Sequence, residues 1–406
     1  MGSRSRVRAV LTVVLGSLLL AGCAMGHPSS PAPVRIGSLV PVTALHIGNF
    51  LAALQASARD VNAHGGIQGR PVVIDNCDDQ QDPNVSQACA RQLVADHVIA
   101  TAGSLTALSE VEAPILDAAG VPQVGSEALS PEDTYLPTAF PLDGGIFSQT
   151  AGELFGARRR GLRGVFVATY DNPTGQLIVQ LVSQLARVAG LTFLGQVYIP
   201  IAATNFTSYV RSAIQAHADF VLPNMPPPSL DYFLAASRQV GARYVVGLPY
   251  GALRPKEVQA LGGAAGPTEN AVEFAGIPPV RETDAFPALR TFKADMDAEL
   301  AAGDQDAAPD QRTGGPVTAW LSVQIIARVA QTLPVLDAAN LAHALRALPT
   351  VDTLGLTPPW TPGKTGPMAF PRVTNSAGYF ITQRNGVEVL ADPTPFDAFK
   401  AVGMTS

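Results

Sequence analysis

The residues with chemistry to offer in this chain are polar groups gathered in short loops. They are not paired into a catalytic device. The six histidines are scattered, and no serine, cysteine or threonine stands beside a base at a recognisable spacing. There is no GxGxxG after the first apolar run, no GxxxxGK[ST] and no HExxH, and no GxSxG. No enzyme, cofactor or metal centre is expected. What recurs is an apolar run that ends in a polar loop. Val98-Ile99-Ala100 leads into Gly103-Ser104-Leu105-Thr106, and Val121-Pro122-Gln123-Val124 into Gly125-Ser126-Glu127. Tyr170 and Thr174 follow Gly164 to Ala168, Asn224 and Met225 follow Phe220-Val221-Leu222, and Tyr250 follows Tyr244 to Leu248. Loops of this kind hold small molecules by hydrogen bonds. At Leu105 and Thr106, where loop becomes helix, free backbone N–H groups and the helix dipole would hold a carboxylate or another acceptor. The Thr106 hydroxyl could add a bond. A plain helix cap explains the same residues, and the two roles can coexist.

The elements that must position these loops alternate. Phe50, Leu51, Leu54, Ala58 and Val61 recur at helical spacing and predict a helix from Gly48 to Ala63. Gly65-Gly66 stops it. Val72-Val73-Ile74 reads as a buried parallel strand, and Asp82-Pro83 opens the next helix as cap and first helical residue. Val34 to Val40 is the first strand, followed by the loop Pro41 to Ile47. A second cycle of strands and helices starts near Ile146. Helices are predicted from Phe286 to Ala302, Val317 to Thr332 and Ala338 to Leu348, with a polar, mobile stretch from Gly303 to Gly315. Tyr379 to Thr382 and Val387 to Leu390, around Asn385-Gly386, read as a closing hairpin. Trp320 falls on a helix face and is expected in the core. Strand–helix alternation of this kind predicts βαβ units and an α/β fold. Ligands of such sheets bind at the carboxyl ends of the strands.

One stretch carries a family resemblance. D-V-N-A-H-G-G-I-Q-G-R (residues 60–70), then a strand, then D-D-Q-Q-D-P (78–83) with A-C-A-R-Q-L-V behind it, resembles the solute-binding receptors of branched-chain amino-acid ABC importers. The resemblance continues more weakly to about Leu390. It implies the type I periplasmic-binding fold: two Rossmann-like lobes joined by a three-segment hinge, with crossings near residues 144, 276 and 356. Lobe 1 would take residues 34–144 and 277–355, and lobe 2 residues 145–276 and 356–398. It also implies a small-molecule ligand held between the lobes, an ABC permease as partner, and a monomer. Thr106 matches the family's serine/threonine motif for the ligand carboxylate. His46 matches a position often aromatic near the ligand, and is equally readable as a loop histidine. Ser126-Glu127 aligns with a small-residue ligand loop. Glu127 departs from that pattern and could bind an ammonium or a hydroxyl, or simply be solvated. The acid that pairs with a ligand ammonium in this family falls here on Pro249 or Tyr250, and neither is acidic. A buried ammonium without a counter-charge costs several kcal/mol, so a small polar or carboxylate-bearing ligand is expected instead of a standard amino acid. A ligand sensor signalling to a separate partner, or an exported enzyme, are the rival readings.

The beginning of the chain points outward from the cell. Arg4, Arg6 and Arg8 precede an apolar run from Ala9 to Leu20, which predicts a signal peptide over residues 1–22. Leu20-Ala21-Gly22-Cys23 resembles a bacterial lipobox, with Cys23 lipidated and residues 23–33 as a tether. The protein is then exported and lipid-anchored to the outer face of the cell membrane. No other stretch approaches a membrane span. Cys77 and Cys89 remain; a disulfide fits the compartment, and two buried thiols are the alternative. Of the 406 residues 47% are hydrophobic and 15% charged, enough core for two domains, and the formal net charge is −6. That balance argues against nucleic acid, whose binders need basic patches to displace counterions.

Overall fold

The computed structural model describes residues 31–404; the expected signal peptide and Cys23 lie outside the described residues. Twelve strands are found among these residues. The first sheet contains β1 (Val34–Leu39), β2 (Val72–Cys77), β3 (Thr101–Ala102), β4 (Gln123–Val124) and β5 (Ala139–Phe140). They run parallel in the order β2-β1-β3-β4-β5. The second sheet contains β6 (Gly164–Tyr170), β7 (Thr192–Ile199), β8 (Phe220–Asn224) and β9 (Val245–Val246), parallel in the order β7-β6-β8-β9. Strands β10 (Glu273–Ala275), β11 (Ala377–Arg384) and β12 (Val387–Asp397) form an antiparallel ribbon. A parallel bridge between Gly247 and Val272 joins that ribbon to the second sheet. Asn385-Gly386 makes the turn between β11 and β12, as the sequence predicts.

The two parallel sheets are covered by helices, which pack on the buried strands β1, β6 and β8. The first core gathers Ile36, Ala52, Leu54 and Val124 with Phe292, Val317, Trp320 and Leu341. It therefore draws residues 34–142 together with residues 277–360. Trp320 is fully buried, and its indole N–H donates to Asp295 at 2.7 Å. The second sheet has one core on each face. Leu154, Val167 and Val182 lie on one side, and Val210, Val221, Phe233 and Val246 on the other.

The chain passes between the two bodies three times. The first passage follows β5 at residues 141–145, and the second follows β10 at residues 275–277. The third lies later than the sequence suggests. Leu356 and Trp360 are buried in the first core, so the chain is still in lobe 1 there. Arg372 still donates from its Nε to the Ala139 carbonyl at 2.9 Å. Only Val373, packed with Phe147 and Phe399, begins the return. The expected crossing near residue 356 is thus corrected to 373–377, because two large side chains anchor the preceding segment. The passages touch: Asn375 Nδ2 donates to the Leu142 carbonyl at 3.0 Å.

The stretch from Gly303 to Gly315 also departs from expectation. It does not stand away from the body. Ala307 is fully buried, and Arg312 is enclosed, with Nε donating to Ala307 O at 2.9 Å and Nη2 to Asp297 at 2.6 Å.

Candidate functional site

A cavity of about 50 Å³ lies between the lobes, against the hinge. Lobe 1 contributes Glu127 from the loop after β4, Asp143 from the first passage, and Gly314, Gly315 and Thr318 from the start of the Gly314–Gln331 helix. Lobe 2 contributes Ser148 and Gln149 from the Gly145–Arg159 helix, and Tyr250 from the loop after β9. Residues 274–277 of the second passage close the wall. At about 10–15 Å³ per water, this is room for a few solvent molecules.

The local sequence explains the geometry. Asp143 precedes Gly144-Gly145 and opens a helix. Its Oδ1 accepts the Gly145 N–H at 2.8 Å, and the Gly276 N–H of the second passage also donates to it. One carboxyl group therefore ties two hinge segments together. Gly145 has φ 50°, and a Cβ there would overlap the Ala128 carbonyl, so only glycine allows this entry. Glu127 is held through its backbone N–H, which donates to Ser104 O at 2.9 Å.

The electrostatics are one-sided. No lysine, arginine or histidine lines the cavity, while two carboxyl groups do. Burial pushes Glu127 up to about 8, and the nearby Asp143 and Asp133 add to the shift. Asp143 is also raised by burial, against the two N–H groups that favour its charge. Burial and the nearness of a second acid both favour the protonated form of Glu127. Burial raises the Tyr250 phenol as well, so it remains a donor, and its hydroxyl donates to Pro278 O at 2.9 Å.

Of the residues singled out in the sequence, this cavity brings together Glu127 and Tyr250. Ser126 neighbours it, with a buried Oγ that has no protein partner. The Ser104–Thr106 loop is committed elsewhere. The Leu105 N–H donates to Leu39 O at 3.0 Å, so it is not the free donor expected. Ser104 Oγ accepts the Leu39 N–H at 3.1 Å. The Thr106 hydroxyl donates to the buried Asp79 carboxylate and accepts the Leu108 N–H. That bond claims the hydroxyl expected to meet a ligand. Met225 is buried with Phe206 and Leu230 in the second lobe and does not line the cavity described above. Asn224 is half-buried at the end of β8, and Tyr170 donates to Ser229 Oγ at 2.8 Å. His46 and Thr174 are exposed. Cys77 and Cys89 form a disulfide, with Cα atoms 5.5 Å apart.

Asp143, Gln149 and Gly314-Gly315 escaped the sequence reading. Asp143 stands before Gly144-Gly145, a pattern that by itself reads as a turn. The signal it carried was an acid at the hinge itself. Among the described residues no group of three or more histidines, cysteines or carboxylates is placed to hold a metal ion.

Two parallel α/β lobes, three hinge segments and a polar cavity between them define a two-lobed solute-binding fold. Comparison with known proteins agrees: the chain belongs to the periplasmic binding protein family, whose sequence pattern matches residues 33–377. It is 23% identical over 356 residues to the Leu/Ile/Val-binding protein homolog 7 of Brucella abortus, covering 82% of this chain and 85% of that one. Among solved structures, it resembles an ABC-transporter solute-binding protein of R. palustris in complex with 4-hydroxybenzoate. That match has TM-score 0.73 and 18% identity, covering 90% of this chain and 97% of the other. It also resembles a fatty acid ABC transporter substrate-binding protein from Thermomonospora curvata, with TM-score 0.74 and 15% identity over 92% and 95% of the two chains. At these identities the structures speak for the fold alone. The family is one of exported binding proteins, and among the described residues no helix is long and apolar enough to cross a membrane.

Proposed function

We propose that this chain is the extracytoplasmic solute-binding lipoprotein of an ABC importer. It captures a small polar solute between its lobes, performs no catalysis, and presents the closed form to a permease. Cys23 is its lipid anchor. The family supports the binding role, and the ABC-transporter proteins of the same fold support the permease partner.

The observation that carries the ligand class is the pair Glu127 and Asp143, facing an interlobe cavity without a cation. At Pro249 and Tyr250, where the family resemblance expects an acid for a ligand ammonium, this chain has none. Glu127 supplies an acid from the opposite lobe, into the same cavity as Tyr250. A solute with an ammonium or strong donor group satisfies both carboxyl groups. Its acceptor end faces the start of the 18-residue Gly314–Gln331 helix, where N–H groups and the helix dipole favour negative charge. A dipolar, amino-acid-like solute fits this arrangement better than a simple carboxylic acid.

The test is a thermal-shift and calorimetric screen of the protein from Ala24 onward, against amino acids, amines, carboxylic acids and polyols. A solute at 100 times its Kd adds about 2.7 kcal/mol to stability. Ammonium-bearing solutes should give the largest shifts, and Glu127→Gln should abolish them. If only carboxylic acids without an amine shift the protein, and Glu127→Gln binds them equally well, the ligand class proposed here is wrong.

A further inference from the structure

On lobe 2 a cavity of about 310 Å³ opens over the β10–β12 ribbon. Its floor is apolar, formed by Val272, Phe380 and Ile381, and its rim carries Arg159, Arg160 and Arg384 with a single carboxylate, Asp392. In a chain of net charge −6, three guanidinium groups around one cavity form a local reversal of sign.

Two of the three are held in place by the protein. The Arg159 guanidinium carbon lies 4.5 Å from the centroid of the Phe380 ring and 5.0 Å from that of Phe396. Its Nη1 is 3.2 Å from Asp392 Oδ2, which claims the one acid of the rim. Arg160 donates from Nη1 to the carbonyls of Asn270 and Ala271, the latter at 3.2 Å. That leaves Arg160 and Arg384 as like-charged neighbours without a carboxylate of their own. Burial and the nearness of Arg384 both work against the Arg160 charge. An anion placed between two guanidinium groups removes that repulsion and receives paired N–H donors in the fork geometry that suits tetrahedral oxyanions.

We propose that this cavity is a binding site for a phosphate group attached to an apolar body. Arg160 and Arg384 hold the phosphate, Arg159 flanks it, and the body lies in the cavity against the Arg159 side chain that covers Phe380. The site shares no lining residue with the interlobe cavity. A soluble phosphate ester and the headgroup of an anionic phospholipid share this chemistry.

The test uses the protein from Ala24 onward, with Arg384→Gln as the main variant. Arg384 is exposed, so its substitution leaves the core intact. Arg211→Gln, an exposed arginine outside the cavity, is the control. Calorimetry with inorganic phosphate and pyrophosphate is run beside flotation with vesicles of phosphatidylglycerol and phosphatidylcholine, and with phosphatidylcholine alone. Binding of pyrophosphate that weakens at least tenfold in Arg384→Gln and is unchanged in Arg211→Gln supports the site and a soluble source. Flotation with phosphatidylglycerol vesicles alone, lost in Arg384→Gln and kept in Arg211→Gln, supports the site and a headgroup source. Absence of both, or binding that Arg384→Gln leaves unchanged, overturns the proposal.

Discussion

Acidic side chains set the behaviour of this protein at the residue scale. Glu127 titrates near its ordinary value of 4.5 in the unfolded chain and near 8 in the folded one. Between those values the folded state keeps a proton that the unfolded state has lost, so stability falls as pH rises through that window. Glu112, also pushed up to about 8 by burial, acts in the same direction. Thermal unfolding from pH 5 to pH 8.5 should show a falling Tm, with a shallower fall in Glu127→Gln; a Tm that climbs over this range contradicts the assignment. The same proton governs binding. An ammonium solute needs the carboxylate form, so its affinity should rise by about tenfold per pH unit below 8 and level off above it. Thr106 makes the opposite kind of case. Its hydroxyl serves Asp79, which is fully buried, so Thr106→Val should cost about 1–3 kcal/mol of stability. Solute affinity should hardly change, and a large loss of affinity at unaltered Tm would return Thr106 to the binding site.

At the scale of elements, the long units were legible and the short ones were not. The Gly48–Ala63 helix shows its period over four turns, and Asp82 caps the Pro83–Ala95 helix as its type predicts, accepting the Asn84 N–H at 2.7 Å. β5 is two residues, Ala139-Phe140, between Pro137 and Pro141. Two residues carry no periodicity, and the prolines read as loop; only pairing with β4 makes a strand there. The site suffered for the same reason. Asp143 lies just beyond β5, so missing the strand meant missing the acid at its end. The third hinge crossing was misplaced because no local signal shows that Trp360 folds back onto the first core. The disulfide was legible, since Cys89 shares a helix face with Leu93 and Cys77 ends the neighbouring strand. It closes a loop of 12 residues' separation, and the loop-entropy estimate gives about 3 kcal/mol. Cys77→Ser with Cys89→Ser should lower the denaturant midpoint accordingly without changing the solute bound; an unchanged midpoint would mean the unfolded chain gains little freedom from the loss.

The whole molecule is described with its lobes in contact, and one pair of residues sets how closely they meet. Tyr250 of lobe 2 packs against the first core, with its ring on Gly314, the first residue of a lobe 1 helix. A Cβ on Gly314 would overlap Tyr250 Cε1. Beside it, Arg254 Nη1 of lobe 2 donates to Gln311 Oε1 of lobe 1 at 3.1 Å. The hinge cavity under Tyr250 has room for only a few waters, so a solute enters only if the lobes part and close again around it. Gly314→Ala tests this directly, because alanine is well tolerated in a helix and the three atoms nearest the added methyl group all belong to Tyr250 of the other lobe. The variant should keep its unfolding free energy within about 1 kcal/mol of wild type, show a larger radius of gyration by X-ray scattering, and bind solute at least tenfold more weakly. Adding Tyr250→Ala removes the overlap and should bring the radius back. If Gly314→Ala scatters and binds like wild type, the tyrosine swings aside at little cost, and the Arg254–Gln311 bond, broken by Arg254→Met, becomes the contact that must hold the lobes together.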